Sequence, residues 1–118
     1  MKKGRIRRAS DEQLIFDTVI ALCRDYERRC RVINERSATR RVLMEYHYIN
    51  NRIYDGAAEI VGEREAELFI FEIGERIGYA RSESVGYTEI TYKSTKRDVK
   101  ISIAVKLHLM DRLLSDGA

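Results

Sequence analysis

The sequence predicts a small all-α domain with a long N-terminal helix, an antiparallel helical core and a helix-turn-helix-like C-terminal region. Three observations lead there. Phe16, Val19, Cys23, Tyr26, Cys30 and Ile33 recur at alternating spacings of three and four, the heptad rhythm of one helix face. Val42, Tyr46, Ile49, Ile53, Ala57 and Ile60 form a second stripe with helical spacing. Ser10-Asp11-Glu12-Gln13 fits a capping box, with Asp11 and Glu12 placed where the helix dipole favours negative charge.

Taken in order, residues 1–9 read as a flexible basic arm and the capping box opens a helix from 11 to about 36. Arg24, Asp25, Glu27, Arg28, Arg29 and Arg31 fall off its apolar seam. The seam then loses phase, and Ser37-Ala38-Thr39 offers caps for a second helix that Gly62 ends. A third helix covers about 63–77, with Phe69, Ile73 and Ile77 on its buried side and Gly78 as the stop. The domain scheme is therefore an arm at 1–9, a helical hairpin or coiled-coil-like region at 10–62, and a helix-turn-helix-like region at 63–118 that forms one compact domain with it.

From residue 79 onward two readings stand. Val99, Ile101, Ile103, Val105, Leu107 and Leu109 alternate with less apolar residues, the period of an amphipathic strand. An α+β fold with a C-terminal hairpin, about 85–93 and 98–109, is the alternative this creates. Val99, Ile103, Leu107, Met110 and Leu114 also step at helical spacing, leaving Ile101 and Val105 on the wrong face. Local pattern alone favours the strand.

Composition narrows the function. The chain has 118 residues, 44% hydrophobic and 35% charged, with a net charge of +3. That suits one domain with enough apolar surface to offset chain entropy. No apolar run reaches the ~20 residues of a membrane span, and the basic start is not followed by a secretory apolar stretch. A cytoplasmic location is the expectation, with no membrane partner. The net charge conceals blocks of +6 over 1–41, −6 over 42–75 and +3 over 76–118. Such blocks suit neutralisation between helices, in one chain or between two, and equally a basic surface facing phosphates.

Two stretches have the grammar of a helix-turn-helix, which needs a packed first helix, a sharp turn and a capped second helix entering the major groove. One is Ile73 to Ser82, turning at Gly78. The other is Val85 to Lys93, with Gly86 as the turn and Thr88 as the cap. Thr91-Tyr92-Lys93, Lys96-Arg97, Val99, Ile103-Ala104 and Leu107 resemble the C-terminal end of small phage-encoded late-gene transcriptional regulators, which are similar to the promoter-binding region of sigma factors. The resemblance spans about 35 residues. It implies a DNA-binding transcription regulator with a recognition helix capped by Thr88. Glu89, Ile90, Thr91 and Lys93 would face base edges, while Lys96, Arg97 and Lys100 contact phosphates. Lys2, Lys3, Arg5, Arg7 and Arg8 would add sequence-blind affinity. The partners it implies are double-stranded DNA and RNA polymerase.

The competing class is a helical oligomerisation or adaptor protein without nucleic-acid binding. Phe16, Val19, Cys23, Tyr26, Cys30 and Ile33 are the expected homodimer seam of a regulator, and in the competing class the face that makes oligomers or receives a partner helix. Cys23 and Cys30 lie ~10.5 Å apart on a helix, too far for a disulfide within one chain, and read as small core hydrophobes. His47 and His108 lack companions at metal-ligand spacing, so neither metal nor cofactor is expected. Glu72 and Glu75 read as helix surface. No nucleophile–base pair can be argued, which leaves an enzyme as the least supported class.

Overall fold

A computed structural model describes residues 3–84 and 86–114, with side chains for 11–84 and 86–111. Six α-helices and no strand occur among the described residues: α1 Lys3–Arg24, α2 Tyr26–Glu35, α3 Arg40–Val61, α4 Glu63–Gly74, α5 Glu89–Lys106 and α6 Leu109–Leu114. A short 3-10 turn, Tyr79–Arg81, interrupts the long connection between α4 and α5.

The hairpin alternative is overturned, because 89–106 is one helix. Its buried stripe is Tyr92, Val99, Ile103 and Ala104, continued by Leu107 just beyond the helix. Val105, which a strand would have buried, is 55% exposed. The deciding surface lies on α3. Gly56 there meets α5 so closely that a Cβ would sit 2.8 Å from the Ile103 Cα. Two helix backbones this near bury Ile103 completely, and a helix-period stripe fits that contact where an alternating one does not.

The expected helix over 11–36 is divided. Backbone 3–10 is already helical, so Ser10 lies inside α1 rather than capping it. The helix is then interrupted at Asp25, where ψ turns to 8° and bends the backbone before α2 starts at Tyr26. Arg29, expected on a solvated face, is 4% exposed. Its guanidinium donates to the Leu22 carbonyl that the break frees from the helical ladder, and to Asn50 Oδ1 on α3 at 2.6 Å. Asn50 in turn donates to the Tyr26 carbonyl at 3.1 Å and to Cys30 Sγ at 3.3 Å. A freed backbone acceptor inside a protein needs such a donor. Burial comes first in lowering the Arg29 pKa.

The second helix forms as expected, with Thr39 accepting from the Val42 amide at 3.3 Å and Gly62 at the end. The third stops short of Gly78. Arg76 takes the left-handed conformation, φ 56°, and the Ile77 amide closes back on the Glu72 carbonyl at 2.9 Å. At Gly74 α4 passes so near α1 that a Cβ would lie 2.7 Å from the Arg24 nitrogen. The core gathers Ile15, Val19, Cys23, Ile53, Phe69, Ile73, Val99 and Ile103 from α1, α3, α4 and α5. Among the described residues no helix is long and apolar enough to cross a membrane.

Candidate nucleic-acid interface

The connection over residues 75–88 presents α5, and a buried carboxylate holds it. Glu72, read from sequence as helix surface, is 1% exposed. It accepts from the Tyr92 hydroxyl at 2.7 Å, the Ser82 hydroxyl at 2.8 Å, the Ser84 hydroxyl at 3.0 Å and the Glu83 amide at 2.8 Å. Burial pushes its pKa up, but these four donors outweigh burial and hold the carboxyl below its ordinary value. Tyrosines close the rest of the clasp. Tyr79 donates to the Tyr87 carbonyl at 3.0 Å, Tyr87 to Glu65 at 2.8 Å, and the Tyr79 and Tyr92 rings lie 5.7 Å apart.

Thr88 then caps α5, its hydroxyl accepting from the Thr91 amide at 3.2 Å. The first turn projects from the body. Glu89 and Thr91 are exposed, Ile90 is 82% exposed, and Lys93 pairs with Glu89 at 3.0 Å. One turn further the cations bend toward the protein. Lys96 donates to the Ile77 carbonyl at 2.7 Å and rests over the Tyr92 ring. Arg97 pairs with Glu12 at 3.2 Å and, like Lys100, lies over the Phe16 ring. Arg76, which sequence reasoning did not select, comes in from the loop and reaches Asp17 at 3.9 Å.

Arg76, Lys93, Lys96 and Lys100 thereby line one cleft of about 280 Å³, floored by Ile20, Ile73, Tyr79 and Tyr92. Arg97 shares the Phe16 ring with Lys100 and does not itself line the cleft. Burial lowers the pKa of Lys96 and Lys100, and neighbouring cations lower both further: Lys100 acts on Lys96, and Arg97 and Arg76 act on Lys100. Lys93, Arg97 and Arg76 each face a carboxylate, so Lys96 and Lys100, which form no ion pair among the described residues, carry the uncompensated positive charge of the site over an aromatic and aliphatic floor. The α4–α5 connection is longer than the turn of a compact helix-turn-helix, and α5 rests mainly on α3.

The expected dimer seam is dispersed. Val19 and Cys23 are buried in the chain's own core, and burial pushes the Cys23 thiol up to about 12. Phe16 lies under the two α5 cations, and Tyr26 donates to Glu67 at 3.3 Å. Cys30 receives Asn50, while Ile33 is half-buried on α2. The side chains of Lys2, Lys3, Arg5, Arg7 and Arg8 lie outside the described residues. Among the described residues no cluster of histidine, cysteine and carboxylates has the form of a metal site. No protein-family model, curated protein or solved structure matches the chain.

Proposed function

We propose that this chain is a cytoplasmic double-stranded-DNA-binding protein, a transcription regulator of the phage type its C-terminal sequence resembles. The observation that carries the reading is the convergence of Arg76, Lys93, Lys96 and Lys100 around one cleft, with Arg97 next to Lys100 over the Phe16 ring and with Lys96 and Lys100 depressed by burial and by like charge. A phosphate brought to that cleft relieves the repulsion, and the released counterions add affinity. Arg76, Lys96, Arg97 and Lys100 take the backbone. Ile90, Thr91 and Lys93, on the exposed first turn beyond the Thr88 cap, take base edges, with Glu89 restraining Lys93. RNA polymerase enters the proposal from the resemblance alone.

The test is fluorescence anisotropy of the full chain with a labelled duplex at about 50 and 200 mM salt. Arg76→Ala and Arg97→Ala, at exposed side chains assigned to the backbone, should each lower the salt slope by about one. Binding should also weaken on the alkaline side before the ordinary lysine value of 10.5, because Lys96 and Lys100 lose their protons early. Absence of binding, or a salt slope unmoved in the R76A/R97A double variant, overturns the proposal. A second reading, an oligomerisation or adaptor protein without nucleic-acid binding, is favoured by the open apolar trough on the other side of α1. A duplex that fails to bind leaves that reading in place.

A further inference from the structure

The trough lies between α1 and α3, which pack little against each other. It has a volume of about 980 Å³, with Leu22 on one wall, Met44 and Tyr48 on the opposite lip and Leu107 and Leu109 at the floor. Among the described residues nothing covers it. Met44 is 62% exposed and Leu14, on the α1 side, 48%. Tyr48 is held in place at the lip: Arg52 lies over its ring at 4.7 Å and is itself anchored to the Lys106 carbonyl at 3.3 Å. An apolar trough beside a fixed aromatic lip has the form of an unfilled protein interface.

The charges on the lip say what fills it. Arg40, Arg41 and Glu45 line the trough, Glu45 one helical turn beyond Arg41 on α3, and none of the three forms an ion pair among the described residues. Arginine ahead of the carboxylate is the weaker order within one helix. It also places the cation in a first turn that contains no acidic residue, where the helix dipole disfavours positive charge. An antiparallel copy of the same helix corrects both. Arg41 of one protomer then meets Glu45 of the other, twice by symmetry, and Met44 falls beside the axis.

We infer that this face is an isologous homodimer interface, in which each protomer's Met44–Tyr48 lip enters the other's trough and Arg41–Glu45 pairs fix the register. On α1 the trough residues Thr18 and Leu22 and the cleft residue Ile20 point in nearly opposite directions at ~100° per residue. The dimer therefore leaves the cationic cleft open, and the inference stands or falls independently of DNA binding.

Sedimentation equilibrium of the full chain over a range of concentrations is the test. The wild type should dimerise. Arg41→Glu and Glu45→Arg should each raise the dimer dissociation constant by about tenfold or more, and the charge-swapped double variant R41E/E45R should restore it. Both positions are exposed, so circular dichroism should show each variant folded. A monomer at every concentration, larger rings or filaments, or a dimer indifferent to both reversals overturns the inference. So does a double variant no tighter than the singles, the result expected if the trough receives a foreign helix.

Discussion

Glu72 and Arg29 are both buried charged side chains, and neither forms an ion pair among the described residues. The carboxylate sits at the cationic end of the molecule, ringed by the Tyr92, Ser82 and Ser84 hydroxyls and the Glu83 amide. The guanidinium sits where α1, α2 and α3 meet, held by the Leu22 carbonyl and Asn50. Each stands where the backbone leaves its regular ladder, one beside the loop at 75–88 and the other at the break after Arg24. Neutral dipoles can solvate a buried ion when geometry lets several of them converge. The two differ in reach. Most of Glu72's partners lie within one short stretch and close a loop, whereas Arg29 binds two separate elements and sets a bend.

The largest effect should follow removal of the carboxylate. Glu72→Ala leaves Tyr92 and Ser84 with buried donors that have lost an ionic acceptor, and should cost about 3 kcal/mol in urea unfolding. Arg29→Met should cost less, about 2 kcal/mol, because the new side chain keeps apolar volume and strands only the Leu22 carbonyl and Asn50. An arginine substitution that costs more than the glutamate one would reverse the comparison and make the bend, rather than the loop, the weak point of the fold.

The smaller effect is in the pH dependence, where the two ions part completely. The Glu72 pKa is depressed on folding, so its stabilisation is fully present above the ordinary carboxyl value of 4.5 and is lost as pH falls through the folded value. Stability measured from neutral pH downward should therefore decline in acid, and Glu72→Gln should flatten part of that slope. Arg29→Met should leave the acid limb unchanged, since a guanidinium stays protonated throughout. An acid limb untouched by Glu72→Gln would assign it to other carboxylates.

Much of the local structure was legible. The stripe centred on Ile53 and Ala57 became the buried side of α3, Thr39 and Thr88 became caps, and Phe69 and Ile73 became the core face of α4. The candidate site was legible only in part. Lys93, Lys96, Arg97 and Lys100 lie on one helix and could be selected together, but Arg76 reaches them from a loop that closes through Glu72. Glu72 carried a faint signal, since it adjoins Ile73 on the apolar side of its helix and Ser82 and Ser84 follow within one loop. Exposure of Val42 and Ile60 at the ends of the α3 stripe shows how far periodicity alone overstates burial.

The sequence by itself determined which segments carry helical apolar faces and where polar residues start them, because side-chain spacing and capping act over a few residues. Only the tertiary structure decided that 99–106 is helical, that the first helix breaks, and that a carboxylate and a guanidinium go inside. Those outcomes depend on groups far apart in the chain. Ile103 needs the bare backbone at Gly56, Arg29 needs Asn50, and Glu72 needs the hydroxyls of a loop ten residues on. A local pattern records what a residue prefers, whereas packing settles which partner it meets.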